Sequence, residues 1–270
     1  MRKEINYTLS VKSRKSLNKA EDYLAAVRLH CKMLPEYIPM KFDWVEPIKQ
    51  VFSADDLSNL VFSNGKVDNV WWKRIGKPKA NGSWMRSGIR SGNPSTYTHS
   101  DISLNVGETL FQDKLVDYLQ VASVQSEADI GFIDSVVDEY KKMATLSEYA
   151  PYGGDLMLST KLLRNWLPEM PWAVVFGPAY IRLFGKEKAL ATPAYKVEEI
   201  GKEMVYIQLT QRMEDIHEKY NLVMQARAVA KKHLGEECFF KSELAYNFNA
   251  EPDKAGKVFK APTFEMLLDQ

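Results

Sequence analysis

The chain is short of the features that announce a compartment or a chemistry. Its 270 residues include two cysteines, Cys31 and Cys238, too few for a disulfide framework. Both read as small buried hydrophobes: Cys31 fits the apolar face of a helix, and Cys238 precedes Phe239 and Phe240. No run of about 18 apolar residues occurs, so no bilayer-spanning segment is expected. No apolar stretch of secretory length follows Met1-Arg2-Lys3-Glu4-Ile5, which places the expected compartment in the cytoplasm. Net charge is +1, so the chain as a whole is neither a polyanion sponge nor an acidic mimic, although local patches remain open.

Common catalytic signatures are also missing. There is no phosphate loop, dinucleotide fingerprint, Gly-x-Ser-x-Gly elbow or Cys-x-x-Cys. His217-Glu218 begins like a zinc-binding helix, but the position one turn on is Asn221, and amides bind zinc poorly. His217 therefore reads as a surface residue early in a long helix. His30 and Cys31 are helical neighbours that point about 100° apart, which excludes a thiol–imidazole pair. His99 and Asp101, with Ser95, Tyr97 and Ser100 nearby, offer a proton relay, though such clusters more often serve as loop hydrogen bonds. Asp134, Asp138 and Glu139 read as helix-capping or solvated carboxylates at a strand-to-helix junction. No catalytic residue, metal ligand or cofactor is assigned, and the chain is read as non-enzymatic.

What is present is a globular pattern. Apolar residues make up 45% and charged residues 26%, enough for a sizeable core without a staple. Ile5, Tyr7, Leu9 and Val11 alternate with Asn6, Thr8 and Ser10, the period of a half-buried strand. Leu17, Ala20, Leu24, Val27, Cys31 and Leu34 then recur at helical spacing, with Ser16 as the expected N-cap and Pro35 as the stop. Residues 53–60 suggest a capped short helix, and Asn64-Gly65 a turn. Further on, a strand (Ile102, Leu104, Val106) precedes a helix (Phe111, Leu115, Leu119, Ala122), a strand (Ile130 to Ile133) and a helix (Val136 to Leu146). Gly153-Gly154 breaks the chain, and Leu156 to Leu167 is expected to be helical.

Trp172 to Phe176 suits a buried strand, and Gly177-Pro178 opens a short helix that Gly185 can end. Tyr195 to Ile200 and Met204 to Leu209 form a hairpin across Gly201-Lys202. One long helix then carries Ile216, Tyr220, Val223, Ala226, Ala230 and Leu234 as its stripe. The aromatic tail through Tyr246 and Phe248 suits an edge strand or a wrapped arm. The expected fold is α+β: a mixed or antiparallel sheet packed by amphipathic helices, with an order compatible with two related halves. Residues 1–270 are read as one domain bearing a basic, Trp-rich insert at about 66–100.

That insert is the most unusual stretch. Lys66, Lys73, Arg74, Lys77, Lys79, Arg86 and Arg90 face one acid, Asp68, so residues 66–90 carry +6 and the remainder −5. Trp71, Trp72 and Trp84 are interleaved with these charges. Core anchoring with solvated charges is the favoured reading. Protein contact is the first functional alternative, because Trp and Arg are frequent interface anchors. Single-stranded nucleic acid is the second.

The run from Trp172 through Gly185, and its continuation through Thr192-Pro193-Ala194-Tyr195 to Val205–Thr210, resembles immunity proteins of bacterial polymorphic-toxin and type VI secretion systems, the immunity protein 52 family among them. The resemblance covers residues 5–34 and 102–240 and leaves out the basic segment. It implies a non-catalytic protein that neutralises a cognate toxin by covering its active site or locking its shape, with no cofactor. If that toxin is a nuclease with a positive cleft, the pairs Asp55-Asp56, Glu198-Glu199 and Glu236-Glu237 are candidate contacts beside Trp71, Trp72 and Trp84.

Overall fold

The computed structural model describes residues 6–89, 97–138, 140–141, 156–241, 244 and 259–265. The strands are β1 (Tyr7–Ser13), β2 (Lys41–Asp43), β3 (Gln50–Val51), β4 (Val70–Arg74), β5 (Ala80–Met85), β6 (Gly88–Ile89), β7 (Tyr97–Thr98), β8 (Ser100–Val106), β9 (Ala128–Ser135), β10 (Ala173–Phe176), β11 (Lys196–Glu199) and β12 (Val205–Gln208). The helices are α1 (Ala20–Met33), α2 (Gln112–Gln125), α3 (Thr160–Leu163), α4 (Pro178–Phe184), α5 (Lys186–Leu190), α6 (Asp215–Glu218) and α7 (Tyr220–Leu234). Ten strands form one sheet in the order β11-β12-β10-β9-β1-β8-β5-β4-β2-β3, while β6 and β7 make a separate ribbon. Its paired ladders are antiparallel, and the class is α+β, as the alternation of strand and helix patterns implies.

The central strand β1 sends Tyr7, Leu9 and Val11 to one face and Thr8, Ser10 and Lys12 to the other. The first face carries α1 and α2. Gly131 of β9 lies under α2 so closely that a Cβ there would stand 2.4 Å from Ser123 Oγ and 2.9 Å from Leu119 Cδ1. Below α1, Trp72 and Trp84 are fully buried, with the His30 ring at 5.0 and 5.7 Å edge-on to them. Gly82 of β5 is needed there, since a Cβ would fall 2.0 Å from the Ser103 carbonyl and 2.6 Å from the Trp72 ring. The second face is covered over β9, β10 and β12, where Phe176 packs on Tyr180 and Phe184 of α4 and α7 docks through Arg227.

Several expectations are corrected. Within the basic segment at 66–100, β4 and β5 belong to the ten-stranded sheet rather than to a loop. Val70, Trp72 and Trp84 point inward, and β5 pairs directly with β8 through Gly82↔Leu104 and Trp84↔Ile102. The period of two is hidden in sequence by Trp71, which alternates outward at 38% exposure. Helix α1 begins after Lys19 rather than Ser16, because buried Leu17 takes φ +50 and turns the chain first. Residues 58–60 form a single 3-10 turn, with Asp56 accepting the Ser58 N–H at 3.0 Å. The helix expected over 156–167 is confined to α3, capped by Ser159.

The long C-terminal helix breaks at Lys219 (φ −124, ψ 47) into α6 and α7. Its inner stripe contains Arg227, wholly buried, in place of Ala226. The Arg227 guanidinium donates to Asp134 Oδ1 at 2.7 Å and Tyr140 donates to Oδ2 at 2.6 Å. Asp134 is therefore a buried member of β9, not a solvated cap. His217 is half-buried and meets Ser135 Oγ at 2.9 Å, because the break at Lys219 turns α6 toward the end of β1. Cys31 and Cys238 are free thiols. Arg90, Ser95, Glu139, Gly153-Gly154, Tyr246, Phe248 and most of the helix expected at 136–146 lie outside the described residues.

Breaking one side of a buried ion pair strands the other charge in a low dielectric. Arg227→Met or Asp134→Leu alone should each cost about 3–5 kcal/mol in urea denaturation, and the double substitution should recover most of that loss. Burial also pushes the His30 imidazole from 6.5 down to about 4, with the Tyr37 backbone opposing weakly. The native state disfavours the proton, so this contribution is complete above pH 6.5 and is lost as pH falls toward 4. It amounts to about 3 kcal/mol. Unfolding free energy measured from pH 8 to pH 4 should fall less steeply in His30→Leu than in the parent chain.

Candidate functional site

The part of the second face that no helix among the described residues covers spans β1, β8, β5 and β4. It forms a groove of about 510 Å³, walled on one side by residues 156–160. Strand alternation builds its floor: Thr8, Ser10 and Lys12 from β1, Asp101, Ser103 and Asn105 from β8, and Asn81, Ser83 and Met85 from β5. The floor deepens toward β1, where Thr8 and Ser10 are 2% exposed, and opens toward Trp71 and Met157, at 38% and 62%.

The floor's polar side chains satisfy one another. Thr8 donates to Asn105 Oδ1 at 2.7 Å, and Asn105 Nδ2 donates to Asn81 Oδ1 at 2.9 Å. Ser83 and Ser103 hydroxyls meet at 2.8 Å. Asp101 takes Ser10 at 2.6 Å and the Lys12 ammonium at 2.9 Å. The wall is tied to this network by the Leu156 N–H, which donates to Thr8 Oγ1 at 3.0 Å. A hydroxyl or amide buried without a partner would destabilise the fold, so this ladder is what lets a polar strip lie deep in the sheet.

At one end stands the histidine singled out by sequence. Its partner is Asp129 rather than Asp101: His99 Nε2 meets Asp129 Oδ2 at 3.0 Å and Nδ1 meets Thr160 Oγ1 at 3.0 Å. The β1–β9 register shifts between Lys12 and Ser13, and this bulge lets Asp129 reach His99. The side chains of His99 and Asp129 are 0% and 1% exposed, and Phe264 stands edge-on over the imidazole at 4.7 Å. Burial pushes the His99 pKa below its ordinary value, against the pull of Asp129. Phe264 also meets Tyr180 of α4 at 5.9 Å, so it covers the pair on the α4 side, while His99 lies along the groove wall. Asp129 and Thr160 carry no motif in the sequence, since thirty residues and a bulge separate the first from His99.

The other candidates are scattered. Trp71 joins the groove, whereas Trp72 and Trp84 lie in the opposite face's core. Asp55 is exposed on the loop before the 58–60 turn. Asp56 beside it accepts the Ser58 N–H, and the four glutamates each hold a lysine of this chain: Glu198 with Lys196 at 2.9 Å, Glu199 with Lys186 at 2.7 Å, Glu236 with Lys241 at 2.7 Å and Glu237 with Lys260 at 3.1 Å. Among the described residues no group of His, Cys, Asp and Glu is arranged to hold a metal ion, and no helix is long and apolar enough to cross a membrane.

The chain is similar to Pseudomonas aeruginosa T6SS protein PA0821, with a TM-score of 0.51 and 10% identity over 98% of this chain and 89% of that one. No protein-family model and no curated protein matches the sequence. At this identity the likeness to PA0821 is one of architecture, and it extends across the region 66–100 that the family resemblance had left out.

The two faces make separable demands on the adjacent tryptophans. Trp72→Ala should cost about 3–5 kcal/mol by emptying a core site. Trp71→Ala should stay within about 1 kcal/mol of the parent chain in the same denaturation experiment, because its ring is part-exposed on the groove rim.

Proposed function

We propose that this protein is an immunity protein, binding and blocking a cognate protein toxin in the cytoplasm through the groove-bearing face, with no catalytic step of its own. The observation that carries this reading is the groove itself. Its polar floor is satisfied within the chain, while Trp71 and Met157 stand exposed on its rim. A surface of that kind offers shape and apolar anchors to a partner rather than loose donors to a small substrate. The resemblance of residues 172–210 to the immunity protein 52 family supports the same reading, as does a fold shared with a T6SS protein.

The His99–Asp129 pair argues in the same direction. The His99 imidazole is buried with both ring nitrogens engaged by Asp129 and Thr160, and Asp101, its expected partner, is committed to Lys12 and Ser10. The nucleic-acid alternative loses two of its three stacking platforms with the burial of Trp72 and Trp84. The pairs Glu198-Glu199 and Glu236-Glu237 give up much of their pull on a positive cleft to their own lysines, and Asp55-Asp56 lies on a loop away from the groove lining, so the contact is assigned to Trp71 and the groove.

Affinity capture of the tagged chain from its native host should return one stable partner that is toxic when produced alone and harmless when this chain is co-produced. Trp71→Ala should weaken that complex by about 2 kcal/mol, roughly thirtyfold in Kd. Purified chain that turns over a small molecule, or a host in which no toxic partner co-purifies, would sink the proposal.

A further inference from the structure

Three lysines gather at the β2–β4–β5 end of the groove-bearing face. The register sets Lys41 directly opposite Lys73, and Lys73 opposite Asn81 of the groove floor. Alternation carries Lys79, two residues before Asn81 and exposed, to the same side. Like charges facing each other across a ladder destabilise a sheet. Among the described residues none of the three has a carboxylate within ion-pair distance, whereas Lys12, Lys114, Lys186, Lys231 and Lys260 each hold one.

The acid sharing that end of the face is Asp43, two residues from Lys41. It is turned toward its own loop, accepting the Trp44 N–H at 3.0 Å and the Lys49 N–H at 3.3 Å. One internally engaged carboxylate is set against three free ammonium groups. Apolar side chains flank the cations: Trp71 at 38% exposure, Ile75 at 55% and Val51, opposite Lys41, at 75%.

We infer that this basic, apolar end of the face receives an acidic segment of a protein partner. The inference rests on the toxin-binding reading and gives that partner a chemistry: the contacted surface of the toxin is negative, not the positive cleft for which the chain's acidic pairs would be suited. Complementary charge would steer the encounter, and Trp71, Ile75 and Val51 would hold the docked segment. The arrangement suits a protein better than a nucleic-acid strand. The cations are clustered at one end rather than spread along a track, and a single exposed indole offers no succession of stacking sites.

The full chain can be titrated at low ionic strength with fluorescently labelled oligoglutamate, oligolysine and oligothymidine, followed by anisotropy. Oligoglutamate should bind, weaken with added salt, and lose roughly tenfold in affinity when Lys41→Gln, Lys73→Gln and Lys79→Gln are combined. Oligolysine should not bind. An unchanged thermal midpoint checks the fold of the triple variant, and the single substitution Lys79→Gln, at an exposed site, provides the reading if the triple variant melts early. Failure of oligoglutamate to bind, equal binding by the variants, or tighter binding of oligothymidine through the same lysines would overturn the inference. A toxin captured by the chain but indifferent to these substitutions would remove the inference and leave the immunity reading standing. Lysine-dependent oligoglutamate binding without any toxin would do the reverse.

Discussion

The architecture depends on a constraint that acts residue by residue along β1: alternate side chains of a central strand must serve two different faces. Tyr7, Leu9 and Val11 are buried under the helices, while Thr8, Ser10 and Lys12 form the deepest part of the groove. A slip of one residue would send three hydroxyl and ammonium groups into the aromatic core and three apolar groups into the groove. Because β1 pairs with β8 and β9 along its whole length, its register is transmitted to the rest of the sheet.

The two faces then solve different problems. The helix-covered face is an aromatic core in which Gly82 and Gly131 let backbone and rings approach more closely than any side chain would allow. The other face is divided. Over β9, β10 and β12 it is covered by α4 and α7, and a buried arginine is tolerated there only because Asp134 neutralises it. Over β1, β8, β5 and β4 no helix among the described residues covers the floor, and polar side chains answer one another's hydrogen-bonding needs. The same antiparallel sheet thus yields a stable half and a presenting half.

That division bears on function. An exposed indole beside a satisfied polar floor, with unpaired lysines at one end, is the surface on which the proposed partner contact rests. The histidine–aspartate pair at the opposite end is buried and tied to the wall through Thr160. The similarity to Pseudomonas aeruginosa T6SS protein PA0821 is one of architecture and assigns no partner.

Local pattern determined much of this protein. The strand Tyr7–Ser13, the strand–helix–strand run from Ile102 to Ile133, the hairpin around Gly201 and the α+β class follow from periods of two and 3.6 together with turn residues, signals carried within a few positions. The pairing of β5 with β8, the burial of Trp72 against the exposure of Trp71, the salt bridge from Arg227 to Asp134 and the reach of Asp129 to His99 follow from no local signal. Each joins positions far apart in the chain, and a charged or aromatic residue reads alike in sequence whether it faces water or a buried partner. Only the assembled sheet, by setting registers and a bulge across distant strands, decides which of those two environments each side chain receives.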